Sequence, residues 1–274
     1  MRLSDAGELG LLAELEARGL IVGVEHDAAT VGDLVVTQDA LVEDVHFRLD
    51  WLAWRELGFR AAAVNISDLA ASGAQPEALL VTLAAPGETA VADVVAFYEG
   101  IAETGVPVVG GDTTAAAQVV VSVTALGRSD RVPGRAGARP GDALVVTGPL
   151  GGAGAAFRRG AYVRPPLRVA EGRDLARSAH AMLDVSDGLA IDAAHIARRS
   201  GVGCTIELER VPLAEGATID DLAFGEDFEL LAALPDPDGH TVVGRVEAGD
   251  GVEILLHGAP HPLRGWEHFA GFVE

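Results

Sequence analysis

The sequence predicts an α/β or α+β protein divided into two halves near residue 135. Three observations carry that expectation. β-Branched runs bounded by Gly, Pro or Asp recur along the chain, and stretches of helical periodicity lie between them. A Gly- and Pro-rich segment from Val132 to Gly141 is followed closely by GPLGGAG at 148–154, a natural boundary.

In chain order, residues 4–19 predict a short amphipathic helix capped by Ser4, with Leu9, Leu12, Leu15 and Leu20 near helical spacing. Strands are expected at 33–37, 79–84, 118–126 and 143–147, where Val, Thr and Leu cluster. Helices are expected at 53–64, 89–104 and 168–181, the second presenting Val91, Val94, Val95, Tyr98 and Ile101 on one face. Beyond the boundary come strands at 204–208, 228–234, 241–246 and 251–256, with a helix at 188–199. Two domains, 1–134 and 135–274, follow from this reading. With 274 residues, 49% of them apolar, the chain can bury two modest cores.

Composition excludes several functions. The formal charge is −21, from 41 acidic and 20 basic side chains, so nucleic acid and anionic membranes are repelled as partners. Every basic side chain besides histidine is an arginine. A phosphate loop with its lysine is therefore excluded, as is Schiff-base chemistry. The single cysteine, Cys204, cannot form an intrachain disulfide and reads as a small buried residue. MRLSDAGELG has neither a basic leader nor an apolar signal core, and no apolar run approaches a membrane span, so a cytoplasmic protein is expected.

Acidic residues recur in short Gly-, Ser- or Thr-flanked clusters beside apolar runs. They are EHDAA around Asp27, TQDALVEDVHF around Asp39, NISDLAASGA around Asp68, VVGGDTT around Asp112 and LDVSDGLAID around Asp187. A carboxylate at a strand end is rigidly held yet can face a cleft, and magnesium takes one or two such oxygens beside waters and substrate phosphates. Converging carboxylates with no lysine would repel a nucleotide unless metal intervened. The opposing reading is that Asp187-Gly188 caps the helix from Leu189, that Ser67-Asp68 caps one beginning at Leu69, and that GGD at 110–112 is a tight turn. From spacing alone both readings stand. His46, expected beside Asp44 on one face of a strand-like DVHF, is a phosphate contact or a structural histidine. Trp266 in GWEHF and Phe228 in GEDFELL either close a core or stack on a flat heterocycle.

Taken together and in order, TQDALVEDVHF, AVNISDLAASGAQP, VVGGDTT, RAGARPGD, LDVSDGLAIDAAHIA, GEDFELL and GWEHF resemble the thiamine monophosphate kinase family. Relatives of that family include aminoimidazole ribonucleotide synthetase, selenophosphate synthetase and a hydrogenase maturation protein. The likeness covers nearly the whole chain, with DVHF and GWEHF pointing to the thiamine branch. It implies a two-domain fold of the aminoimidazole ribonucleotide synthetase type, with the N-terminal sheets of two subunits pairing in a homodimer. It also implies Mg2+-dependent, in-line transfer of the ATP γ-phosphoryl group to thiamine monophosphate. By resemblance, Asp27, Thr37, Asp39, Asp68, Asp112, Asp184 and Asp187 are metal ligands, Asp112 and Asp187 having catalytic weight. Gly111, Asp112, Arg135 and Ser186 are ATP contacts, and His46, Glu226 and Trp266 surround thiamine monophosphate. The sequence departs from the family pattern where Glu25-His26-Asp27 replaces Gly-Asp-Asp, where Gln38 replaces a hydroxyl residue, and in a shorter segment between Ser186 and Trp266. The alternatives are a sister ATP-using synthetase, against which the lack of an N-terminal cysteine and the presence of GWEHF argue, and a noncatalytic nucleotide- or metal-binding descendant.

Overall fold

The computed structural model describes residues 2–22, 26–263, 265–267 and 271–273. In chain order the elements are α1 (Leu3–Ala17), β1 (Ala29–Val31), β2 (Leu34–Val42), α2 (Trp54–Ala71), β3 (Gln75–Ala85), α3 (Val91–Ala102), β4 (Val108–Ala115), β5 (Val120–Arg128), β6 (Ala143–Val146), α4 (Gly152–Phe157), α5 (Val169–Leu175), β7 (Ala181–Asp184), α6 (Leu189–Ser200), β8 (Gly203–Glu207), β9 (Leu230–Leu234), β10 (Thr241–Glu247), β11 (Gly251–Leu256), β12 (Ala259–Pro260), β13 (Gly265–Glu267) and β14 (Gly271–Val273). They fall into two compact units, one of Ala28–Val132 with Ala156–Arg177, the other of Met1–Asp27, Pro133–Ala155 and Ser178–Glu274. Among the described residues no helix is long and apolar enough to cross a membrane.

The first unit is built on a five-stranded sheet in the order β1-β2-β5-β3-β4, antiparallel except for the β3–β4 pair. β3 and β4 run parallel because α3 carries the chain back between them. Alternation in β5 turns Val121, Val123 and Ala125 inward, where they meet α2. Nearly every residue of α2 from Leu57 to Ala71 is buried, so the helix is the hub of the unit. Glycine makes that possible: a Cβ on Gly58 would strike the Phe97 carbonyl, and one on Gly100 the Arg55 carbonyl, so α2 and α3 meet backbone to backbone. The buried side of α3 accordingly runs through Phe97 and Ile101, while Val91 and Val95 of the expected stripe face outward.

The segment 156–177 returns to this unit through aromatic and ionic contacts. Trp51 meets Phe157 edge-on at 5.5 Å and Tyr162 at 6.0 Å, and Arg164 pairs with Glu56 at 3.0 Å. α5 lies against α2 where a Cβ on Gly172 would strike the Ala70 carbonyl.

The second unit holds a seven-stranded sheet in the order β12-β11-β8-β10-β6-β9-β7, with β11 and β8 its parallel pair. β7 and β9 are buried along their lengths, and Leu183, Leu231, Leu189 and Ile196 lie in one core that includes the inner face of α6. β13 and β14 form a separate hairpin. Cys204 is 2% exposed in β8, where burial pushes its thiol up to about 11.

Three local expectations are corrected. NISDLAA is the last part of α2 rather than a cap before a helix at Leu69, because Ile66 and Leu69 continue the buried face of that helix. GGD lies inside β4, where it pairs with β3, and is not a turn. DVHF is a turn and not a strand: Asp44 has φ 62°, and the Asp44 N–H donates to the Phe47 carbonyl at 2.8 Å. At the N-terminus, α1 begins one residue before Ser4, and Asp5 reaches back to the Arg2 N–H at 2.9 Å.

Candidate functional site

In the unit of Ala28–Val132, β2 and α2 position three of the expected residues. Period-two alternation puts Thr37 and Asp39 on the side of β2 that carries buried Val35 and Leu41. Thr37 Oγ1 donates to Asp68 Oδ2 of α2 at 2.5 Å. The Asp39 N–H donates to Asn65 Oδ1 at 3.0 Å, and Asn65 Nδ2 donates to the Ala61 carbonyl at 2.9 Å. Asn65 is fully buried, so its amide is a rigid strut between helix and strand. Nothing in the residue pattern had singled it out.

Gly111 and Asp112 lie on β4, at the sheet edge. Asp39, Val123, Val81 and Gly111 form one row across the sheet and Asp112 opens the next, three strands away from β2. Gly111 has φ 141° and a Cβ there would fall on the Val81 carbonyl, so β3 and β4 approach as they do only with glycine at this position. His46 is half-buried, and its Nδ1 accepts the Val42 N–H at 3.0 Å. An N–H can only donate, so the ring hydrogen of neutral His46 sits on Nε2.

In the other unit, Asp27 accepts from Arg135 through Nε at 2.8 Å and Nη2 at 2.6 Å, and its side chain is 2% exposed. Burial raises the Asp27 pKa, with Arg135 and then His26 pulling it back. Burial also works against the Arg135 charge, yet Asp27, Asp192 and Asp184 hold its pKa above the usual arginine value. Carboxylate oxygens of Asp27 and Asp184 lie within 4.8 Å of one another. Two buried carboxylates beside one guanidinium form a hard-oxygen donor set whose charge a divalent cation would balance. His26 packs on Gly134, whose φ of 66° and missing Cβ admit the ring. Glu25, the other departure in that motif, lies outside the described residues.

LDVSDG forms a loop between β7 and α6 organised by a residue that the pattern left unremarked. Asp192 Oδ2 accepts the N–H groups of Ser186 at 3.1 Å and Asp187 at 3.2 Å. The helix begins at Leu189 with Gly188 of the expected Asp187-Gly188 pair at its N-cap, φ 110°, but no side chain caps it there, and Asp192 reaches back from the first turn. Burial pushes Asp192 well above the ordinary carboxylate value, with Asp187 and Asp184 adding to it and Arg135 opposing. His195 on the same helix is 8% exposed and pairs its Nδ1 with Arg198 Nη2 at 2.8 Å. Burial, then Arg135, Arg198 and Arg199, hold His195 down to about 3, so it is neutral.

Two further expected residues meet this loop. The Glu226 N–H donates to the Ser186 carbonyl at 2.9 Å, and the Trp266 N–H donates to the Asp187 carbonyl at 2.8 Å. Phe269 lies outside the described residues. Phe228 is 7% exposed, and buried Asp227 accepts from backbone amides at the start of α4.

Known proteins resemble the chain over nearly its whole length. A family model for the N-terminal domain of AIR synthase related proteins matches residues 25–129, and one for their C-terminal domain matches 139–249. A thiamine-monophosphate kinase of Aquifex aeolicus is 32% identical, covering 98% of this chain and 100% of its own length. A thiamine-monophosphate kinase of Mycobacterium tuberculosis is 36% identical, covering 97% and 93%. A solved structure described as AaThiL complexed with AMPPCP and TMP superposes with a TM-score of 0.89 at 32% identity, covering 98% of this chain and 99% of that one.

Proposed function

We infer that this chain, which belongs to the thiamine-monophosphate kinase family of AIR synthase related proteins, transfers the γ-phosphoryl group of ATP to thiamine monophosphate, giving thiamine diphosphate and ADP. The observation that carries this reading is the whole-length likeness to a protein described with both AMPPCP and TMP bound. Two anions must meet in this reaction, so charge repulsion is the main barrier.

The acceptor is a phosphate oxygen that is already anionic, so neither a protein nucleophile nor a strong general base is required. We assign Thr37, Asp39, Asp68 and Asp112, with Asp27, Asp184 and Asp187, to magnesium, the hard cation that suits carboxylate and hydroxyl donors. Bound magnesium supplies charge neutralisation to the phosphates. The chain's own residues bind and orient. The amide at Gly111 can approach a phosphate closely because no Cβ intervenes, and Ser186 and Arg135 contribute a hydroxyl and a fixed cation toward ATP. His46 donates from Nε2 to the phosphate of thiamine monophosphate, its orientation fixed by the Val42 amide. Glu226 and Trp266 take the heterocyclic end, the carboxylate facing an amino group or the thiazolium charge and the indole offering a flat apolar surface.

Pairing of two copies through the five-stranded sheet belongs to this proposal. All eight residues of edge strand β4 are exposed, with Val109 64% and Leu80 of neighbouring β3 39% exposed. Sedimentation at low concentration should give a mass of twice one chain.

The deciding assay supplies ATP, magnesium and thiamine monophosphate and resolves products chromatographically, with thiamine and an aminoimidazole precursor in parallel. Thiamine diphosphate formed only from the monophosphate, and only with ATP and magnesium, is the expected result. Folded protein that makes none, or acts on the aminoimidazole precursor, overturns the reading.

A further inference from the structure

The loop GPLGGAG is glycine-rich and opens a helix, a combination that commonly presents amides to a phosphate. Here those amides already have an anion. Gly151 N–H donates to Asp227 Oδ2 at 2.6 Å and Ala153 N–H to Oδ1 at 3.1 Å, and Asp227 is 6% exposed. Burial pushes Asp227 up to about 6, while the amides of Gly151, Ala153 and Gly152 favour its charged form and Glu229 opposes it. A carboxylate kept charged in the interior by main-chain donors holds them in a fixed geometry.

The backbone on either side of Asp227 is unusual. Gly225, Glu226 and Phe228 have φ of 75°, 57° and 53°. For the two that carry side chains, a left-handed conformation costs about 1 kcal/mol each, so surrounding contacts must hold them there. Those contacts run to one segment. Glu226 N–H donates to the Ser186 carbonyl at 2.9 Å, Phe228 N–H to the Val185 carbonyl at 3.0 Å, and Val185 N–H to the Glu229 carbonyl at 2.8 Å. A Cβ on Gly225 would fall on the Ser186 carbonyl. The GEDFE turn is thus laid on Val185–Ser186, with the carboxylate of Asp227 tying its other side to Gly151 and Ala153.

We propose that Asp227 is a positioning residue for the kinase reaction: by pinning the left-handed turn between the α4 amides and Val185–Ser186, it aims the Glu226 carboxylate at thiamine monophosphate. This rests on the reading of Glu226 as a substrate contact. Ser186 and Asp187 are held independently by Asp192, so loosening the turn should affect the acceptor side rather than ATP.

The test is a double-mutant cycle in steady-state kinetics with Glu226→Gln, Asp227→Asn and the double variant. Asp227→Asn keeps the shape but sets an NH2 group against an amide donor. It should raise KM for thiamine monophosphate about tenfold, with KM for ATP changed less than about twofold. In the Glu226→Gln background the same substitution should add less than about twofold to KM, because the group it aims has lost its charge. Equal KM effects in both backgrounds, or a KM for thiamine monophosphate unmoved by Asp227→Asn while Glu226→Gln raises it, would overturn the role of Asp227 alone. An unmoved KM in Glu226→Gln itself would overturn the underlying reading of Glu226, and the proposal with it. Should Asp227→Asn fail to fold, Asp227→Ser retains one acceptor oxygen and carries the same expectations.

Discussion

At Gly111 one missing Cβ decides whether two strands can meet. Ala at 111 would carry its methyl onto the Val81 carbonyl at φ 141°, whereas at Gly110 the nearest atom is Leu80 Cδ2, the end of a mobile side chain, at 3.1 Å. Gly111→Ala should therefore destabilise the protein by at least about 2 kcal/mol in urea denaturation, and Gly110→Ala by well under half of that. His195 supports a pH prediction. Its pKa falls from the ordinary 6.5 to about 3 on folding, so the unfolded chain binds the extra proton first as the solution acidifies. Its contribution is full above 6.5 and is lost as pH falls through that window. Lowering pH from 6.5 to 5 should remove about 2 kcal/mol more stability from the parent than from His195→Gln. Taking the difference cancels the opposite slope of Asp227, which is raised to about 6 and gains stability on acidification. At this scale the sequence singled out Thr37 and Asp68, which the fold brings into contact from 31 positions apart. Asn65, Asp192 and Asp227 went unremarked because their work is to satisfy buried main-chain amides. A buried strut and a solvated turn residue have the same one-letter signature.

At the level of elements, α2 organises the first unit, and its packing rests on small residues rather than on an apolar stripe. Ala, Gly and Ser along Gly58–Ala71 let the sheet, α3 and α5 approach from several sides. Gly58→Ala would push its methyl into the Phe97 carbonyl, which cannot move without shifting α3. A loss of about 3 kcal/mol in denaturant titrations is expected, and a neutral substitution would show that α3 can slide. Strands were legible wherever β-branched residues alternate or run together, as in β2, β3, β5, β6, β10 and β11. β4 was harder to see because its two glycines read as a turn, although cross-strand bonds to β3 override that preference. For α3 the expected face of Val91, Val94, Val95, Tyr98 and Ile101 was too broad. Ile101 is buried and Val94 and Tyr98 pack partly buried on the core, but Val91 and Val95 are exposed, because the close approach at Gly100 turns Phe97 and Ile101 inward.

Over the whole molecule, 41 acidic side chains against 20 arginines give a self-repelling surface. Raising sodium chloride from about 20 to about 500 mM without magnesium should lift the thermal midpoint by roughly 5 °C, since screening relieves that repulsion. A falling midpoint would show that surface ion pairs such as Arg164–Glu56 outweigh it. Residue types and their order suffice for the mixed α/β class, for excluding lysine-based phosphate binding, and for the ordered acidic motifs that mark the kinase family. These depend on residue type and on spacing over a few positions. Long-range contacts set the return of 156–177 to the first unit, the place of β5 between β2 and β3, and the seating of the GEDFE turn on Val185–Ser186. Such pairings join residues far apart in the chain, and they are chosen by which buried faces fit and which amides find acceptors, quantities that no local pattern contains.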